Sequence, residues 1–374
     1  MSLQIVEAEQ KLNELLPKQR LEGSPPATLM AAAKLWSDEV WEQALLMGPM
    51  PLTGDQRIQA KLLAKNPVYI CGVHRSGTTL VKDILDGHPD LAVLPSEGTW
   101  YTNLEHKLSL LSKDAQIVFL GKEWLRRLVN PINQPPYWLA GRSTADNSPY
   151  VDFARYLMAW WTQVKRDNDQ WPHIAIVLAW ASCTNKLGSR YWVDKTPVNE
   201  RYLARIWSST PQAKIIHVIR DPIATLTSRK KMEPSVSFRH ALADLKVSFG
   251  VAVKQSALIH SHFMQVHYEE LCEDTQVITR EMASFLGIQK SAALNQPTVA
   301  GVLAQANSSF IKEPEAGKVI SAAEHPQADI LSKDEKDVTA AYIGRLSAKL
   351  KYPLPRVSFL RGLYLRIRYR LIRW

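Results

Sequence analysis

Cysteine is scarce in this chain. Cys71, Cys183 and Cys272 stand far apart, with no CxxC pair among them. A disulfide framework is excluded, and a reducing, cytoplasmic setting is expected, with the thiols as small buried hydrophobes. Metal-ligand spacings such as HExxH are missing too, so no metal site is expected. No apolar run approaches the ~20 residues that span a bilayer. The opening, MSLQIVEAEQKLNELL, lacks the basic start and unbroken apolar stretch of a secretory signal. Acid is missing from one region: beyond Asp337 there is none, against nine basic residues, Arg345, Lys349, Lys351, Arg356, Arg361, Arg366, Arg368, Arg370 and Arg373. Removing those nine from the net charge of +10 leaves the first 337 residues near +1. The body is therefore no polycation, which excludes a broad nucleic-acid-binding face.

What is present fits an ordinary globular chain, 46% hydrophobic and 22% charged, long enough for one large α/β domain with additions. Residues 1–66 read as a helical N-terminal extension. Leu3, Val6, Leu12 and Leu15 mark one amphipathic stretch, Thr28 to Met47 a second, and Thr53 caps a third that stops before Asn66-Pro67. From Val68 the texture changes to short apolar runs at 68–73, 91–94, 191–193, 214–219 and 262–268, alternating with helical segments. That alternation predicts an α/β fold, a P-loop-like, doubly wound, mostly parallel sheet flanked by helices. A helical insertion at about 100–190 carries Trp124, Trp138, Trp160, Trp161, Trp171 and Trp180, either as core or as an aromatic acceptor pocket. The division is then 1–66 extension, 67–290 core, 291–354 C-terminal part of the core, and 355–374 a basic amphipathic segment.

The run GVHRSGTTLVKDILDGHPD follows the first strand and opens a helix. In such a strand–loop–helix, backbone amides and the helix N-terminus favour an anion. Gly77 permits a tight turn, Ser76, Thr78 and Thr79 add hydroxyls, and Arg75 can grip two oxygens at once. The nucleotide-triphosphate pattern GxxxxGK[ST] is not met, because no lysine follows Gly77. A second anion site is expected at KIIHVIRDPIATLTSR, where Arg220 ends a strand and Ser228 follows on a helix. The plainer readings are a glycine turn and a surface arginine beside a capping aspartate. Together, the two sites point to a nucleotide with phosphates at both ends.

These motifs resemble those of the sulfotransferase superfamily, which uses 3′-phosphoadenosine-5′-phosphosulfate (PAPS) as donor. They are most similar to the branch of tyrosylprotein sulfotransferases and bacterial sulfotransferase-like enzymes. VYICGVHRSGTTL looks like the 5′-phosphosulfate loop, KIIHVIRDPIATLTSR like the 3′-phosphate motif, and VDKTP at 193–197 like the lysine-bearing segment between them. VHYEELCEDTQVITREMASFLGI at 266–288 resembles the downstream strand and helix. His74 stands where the family usually has proline. The resemblance implies that Arg75, Ser76, Gly77, Thr78 and Thr79 hold the 5′ end of PAPS, and Arg220 and Ser228 its 3′ phosphate. It further implies Glu97 as catalytic base, Lys195 near the bridging oxygen, and Ser308 or Ser309 as a late serine of the donor site. The expected reaction is in-line sulfuryl transfer to a hydroxyl or phenol of a carbohydrate, lipid, small metabolite or peptide tyrosine, without a metal. His74, His88 and His106 compete with Glu97 as base, although His88 also reads as a turn residue.

Two other readings stay open. One is a P-loop-type kinase of a small hydroxyl compound, marked by a need for magnesium. The other is a non-catalytic nucleotide-binding scaffold working through its basic segment. In 355–374, Leu360, Leu363, Tyr364, Ile367 and Leu371 share a helical face among arginines. Either this segment packs on the body with its arginines solvated, or it tethers the protein peripherally to an anionic membrane surface.

Overall fold

Five short apolar runs build the centre of the molecule. They are β1 (Pro67–Cys71), β2 (Leu91–Val93), β3 (Tyr191–Lys195), β4 (Lys214–Ile219) and β5 (Phe263–His267). In this computed structural model, which describes residues 3–18, 26–132, 135–141, 147–164, 171–258, 261–306, 315–321 and 330–371, they form one parallel sheet in the order β2-β3-β1-β4-β5. The alternation of side chains along a strand divides them between two cores. Tyr69, Cys71, Trp192 and Ile215 join the core shared with the N-terminal helices and the insertion. Val68, Ile70, Val193 and Ile216 face the helices Thr78–Asp86 and Thr275–Leu286. With both faces covered, the strands are buried and read as near-continuous apolar runs.

The fold is the doubly wound, mostly parallel sheet that the alternation of elements predicts. The connections leaving β1 and β3 run to opposite sides of the sheet, which opens a crevice at the carboxyl ends of the strands. Several boundaries differ from the sequence reading. β1 stops at Cys71 rather than Val73, because Gly72 already leaves the strand with φ 144°. β3 continues two residues past Val193 and carries Asp194 and Lys195 in its buried pattern. A two-stranded antiparallel hairpin, β6 (Thr298–Val299) and β7 (Val302–Leu303), lies beyond the main sheet.

The tryptophans of the insertion are core. Trp124, Trp160 and Trp180 are buried, as are Trp36 and Trp41 on the N-terminal helix Ala27–Met47. Several indoles find acceptors, Trp160 on Ser182 Oγ at 2.8 Å and Trp180 on the Val93 carbonyl at 2.8 Å. Trp36 reaches Asn147 Oδ1 at 3.3 Å and meets Trp138 and Tyr150 edge-on. The helix Lys113–Val129 comes so near Ala27–Met47 that a Cβ on Gly121 would fall 1.9 Å from the Trp41 ring. The extension and the insertion therefore pack as one layer over the sheet.

The basic segment is a docked helix, Phe359–Arg368, lying on the helix Lys333–Lys349. Leu365 and Leu371 are buried in a cluster with Phe249, Val338 and Ile343. Its arginines are not simply solvated. Arg361 pairs with Asp334 at 2.5 Å and Asp337 at 3.1 Å, and Arg368 pairs with Asp334.

Two glycines make opposite predictions. Gly121→Val should overpack the Trp41 contact and cost ~1–3 kcal/mol. Gly250→Ala, in the helix Phe238–Ser256 with open space around the missing Cβ, should stabilise by ~0.5–1 kcal/mol. Urea titrations with matched slopes check both signs.

Candidate active site

The loop after β1 is set by backbone geometry. Gly72 has no room for a side chain, since a Cβ there would stand 2.4 Å from the Val218 carbonyl oxygen and 2.8 Å from Ser76 Oγ. Its amide donates to Glu200 Oε2 at 3.1 Å, and its carbonyl accepts from the Val198 amide at 2.9 Å. Gly77 turns with φ 99°, and a Cβ there would strike the Tyr268 ring at 2.1 Å. The chain then enters the helix Thr78–Asp86, whose first amides lack partners within the helix. Ser76 Oγ is buried and has no hydrogen-bond partner among the described residues.

The second expected anion site lies against the first. Arg75 Nε donates to Ser228 Oγ at 3.3 Å, on the helix Pro222–Met232 that Asp221 caps. Arg220, just past β4, donates to the Arg75 carbonyl at 3.2 Å and lies 4.3 Å from the Tyr268 ring centroid. The buried Arg220 Nε has no partner among the described residues. Tyr268, at the end of β5, was not singled out in the sequence. Its signal was an aromatic residue immediately past a strand, aimed at the same crevice as the loop.

Glu97 and Lys195 meet. Lys195 Nζ is 2.5 Å from Glu97 Oε1, with the lysine side chain 8% exposed and the glutamate 38%. Burial works to raise the Glu97 pKa, but the Lys195 ammonium, with help from His74 and Arg127, outweighs it and holds the carboxyl below its ordinary value. The loop carrying Glu97 is fastened to β3 by neighbours of Lys195. Asp194 Oδ1 accepts the Gly98 amide at 2.8 Å, and Thr196 Oγ1 accepts the Thr99 amide at 2.9 Å. Only glycine fits at 98, where a Cβ would be 2.5 Å from His173 and 2.6 Å from Asp194. From the insertion, Arg127 donates to the Glu97 carbonyl and to Thr99 Oγ1. Asp194, Thr196, Gly98 and Arg127 were all missed in the sequence. A VDKTP string does show Asp194 and Thr196 flanking the lysine, but nothing local ties them to residues 98–99.

Of the competing histidines, His74 is on the wall of this cavity, its Nδ1 3.9 Å from Glu233 Oε1 and its pKa pulled down by burial. His88 is a turn residue, bonded to the Gln289 carbonyl at 2.8 Å and accepting the Asp90 amide at 3.1 Å. His106 sits exposed on the short helix Glu105–Ser109, away from the cavity lining. Ser308 and Ser309 lie outside the described residues.

Arg75, Gly77, Thr78, Thr79, Glu97, Lys195, Arg220 and Ser228 thus border one cavity of about 590 Å³. Beyond Glu97 it continues between Glu123, Arg126, Asn130, Ile132 and Pro136 of the insertion, with Met30 of the N-terminal extension. Among the described residues no tryptophan lines it, so in place of a tryptophan-built acceptor pocket there is a mixed wall, with Glu123, Arg126 and Asn130 beside Met30, Ile132 and Pro136. Among the described residues, likewise, no cluster of three His, Cys, Asp or Glu side chains comes together.

The buried Asp194 generates a prediction with a definite sign. Burial pushes its pKa up to about 6, even though it accepts from Gly98 and Thr196, and the adjacent His173 is kept neutral by burial, its pKa lowered to about 3. A raised carboxyl pKa means that folding favours the protonated form, so the contribution is full at low pH and fades as pH rises towards 6 and beyond. Asp194→Asn, which keeps an acceptor for the Gly98 amide, should therefore gain stability relative to the parent between pH 4 and pH 7 in paired urea titrations. Asp194→Ala should lose ~1–3 kcal/mol by leaving that amide unsatisfied.

A profile described as the Sulfotransferase family matches residues 67–292, more than half of the chain. No curated protein matches significantly. Among solved structures, the chain is similar to the sulfotransferase domain of the Synechococcus PCC 7002 olefin synthase, at 18% identity over 82% of this chain and 94% of that one, with a TM-score of 0.41. It is also similar to a sulfotransferase from Alicyclobacillus acidocaldarius, at 14% identity over 76% and 93% of the two chains, with a TM-score of 0.40. The matched stretch runs from the start of β1 past the helix that follows β5, so it takes in the anion loop, the Lys195 strand and the Arg220 motif, and the chain belongs to the sulfotransferase family.

Proposed function

We propose that the protein transfers the sulfuryl group of PAPS to a hydroxyl or phenol of its acceptor, with Glu97 as general base. The observation that carries this reading is the Glu97–Lys195 pair, opening onto the same cavity as the Arg75 loop and the Arg220–Ser228 site. The residues present fit a nucleotide charged at both ends. Ser76 Oγ and Arg220 Nε are buried donors without partners among the described residues, and the missing Cβ of Gly77 leaves the loop backbone turned tightly under Tyr268. Arg75, Ser76, Gly77, Thr78 and Thr79 would hold the 5′ end, and Arg220 and Ser228 the 3′ phosphate.

The donor supplies a sulfur–oxygen bond whose leaving group is a nucleotide phosphate. The protein's part is positioning and charge. Arg75 and Lys195 are fixed cations at the oxygens where negative charge grows, a task that preorganised donors perform at little reorganisation cost. Glu97, held below its ordinary pKa, is ionised at neutral pH and ready to accept the acceptor's proton. When Lys195 turns to an anionic oxygen, Glu97 loses the partner that opposes its burial, and its basicity rises. Glu123, Arg126 and Asn130 of the insertion, set beside apolar Ile132 and Pro136, support a hydroxyl-bearing acceptor that enters here.

Calorimetry with the desulfated nucleotide PAP, with and without EDTA, tests the donor. Tight binding that ignores EDTA is expected, whereas a requirement for magnesium, or preference for ATP, would return the kinase reading. Arg220→Ala should weaken PAP by ~1.5–3 kcal/mol through loss of a charge-assisted contact. Glu97→Gln should bind PAP like the parent but turn over roughly 100- to 10,000-fold more slowly in radiolabelled sulfuryl transfer to cell extracts. Full activity in that variant would move the base to His74.

A further inference from the structure

The helix Phe359–Arg368 buries one side and leaves the other bare. Leu365 and Gly362 face inward, the latter so close that a Cβ would lie 3.1 Å from that of Ala341. Outward stand Phe359 (81% exposed), Leu360 (77%), Leu363 (39%), Tyr364 (55%) and Ile367 (59%). At the helical advance of about 100° per residue, these five share an arc of roughly 140° opposite Leu365. Single exposed apolar residues are ordinary, but five on one face of one helix make a patch that needs a partner.

The charges around the patch identify the partner. Arg366 borders it on one side and Arg361 and Arg368 on the other, with exposed Arg356 and Arg370 at its two ends. Asp334 and Asp337 hold Arg361 and Arg368, and the Ala341 carbonyl accepts from Arg366, so these arginines stand at the edge of the patch rather than across it. No acidic residue occurs anywhere after Asp337. Two copies meeting through this face would bring arginine against arginine. A surface that is apolar within and anionic at its boundary complements both features, and long arginine side chains reach such a boundary while their stems stay in contact with apolar matter.

We propose that this helix lies in the interface of an anionic lipid bilayer, its outward face inserted among the acyl chains and its flanking arginines on the headgroup phosphates. Its inner face holds the enzyme to the surface through the helix Lys333–Lys349. The proposal is independent of the donor's identity. It is an interfacial attachment and not a span: among the described residues no helix is long and apolar enough to cross a membrane.

The test is co-sedimentation of the full chain with phosphatidylglycerol vesicles and with phosphatidylcholine vesicles. The parent should bind the anionic vesicles at least about tenfold better, and added salt should weaken that binding. Leu360→Ser combined with Ile367→Ser should lose about tenfold or more of the partitioning, with an unchanged melting temperature because neither side chain is buried. Arg356→Glu combined with Arg370→Glu should lose binding to the anionic vesicles alone. Absence of binding by the parent, or equal partitioning of parent and Leu360→Ser/Ile367→Ser, overturns the proposal. So does a parent that sediments as a dimer and turns monomeric in that variant, which would give the face to a second copy.

Discussion

A lysine ammonium removed from water at the end of a buried strand has to be answered by a carboxylate. Here Lys195 is answered by Glu97, a residue nearly a hundred positions away in the chain. Much of the surrounding structure follows from holding that pair together. β3 must carry Lys195 in register beside Ile70 of β1, so that the ammonium emerges next to the anion loop. The turn bearing Glu97 must be fixed to β3, which Asp194 and Thr196 do by taking the amides of Gly98 and Thr99. Breaking one partner of such a pair leaves the other charge uncompensated, which is why the supporting hydrogen bonds are so dense.

Four separate parts of the chain border the cavity that holds this pair. The carboxyl ends of β1 and β4 supply Arg75 and Arg220, the end of β5 supplies Tyr268 beneath both, and the insertion supplies Arg127 over the Glu97 carbonyl. The sheet order explains how they converge, because crossovers leaving in opposite directions leave that edge uncovered. The N-terminal helices matter indirectly. By packing Trp36 and Trp41 against the insertion, they set where the helix Lys113–Val129, and hence Arg127 and the acceptor wall, can stand.

Legibility in the sequence followed the range of the interaction that decides each element. Local apolar runs fixed by burial on both faces were plain, and Lys214–Ile219 matches the reading residue for residue. β3 was read two residues short, since Asp194 and Lys195 look like the end of an apolar run when their partners are out of sight. The loop from Arg75 to Thr79 was legible because glycine, hydroxyls and an arginine in sequence already describe an anion cradle. The placing of Tyr268 and Arg127 at the site, and of the tryptophans away from it, depended on contacts across the fold that no local spacing encodes. In the basic segment the helical spacing was visible, but not which side would be buried: Gly362 and Leu365 dock, while the larger apolar side chains point away.

Lys195 does most to hold the Glu97 carboxyl below its ordinary value, although burial works the other way. Carbon-13 NMR of glutamate carboxyls, with Glu97 assigned by its loss in Glu97→Gln, measures this directly. In the parent, Glu97 should titrate below the ordinary glutamate value. In Lys195→Met, with burial no longer opposed by the ammonium, it should titrate above that value. A Glu97 carboxyl that titrates at the same pH in both proteins would contradict the account.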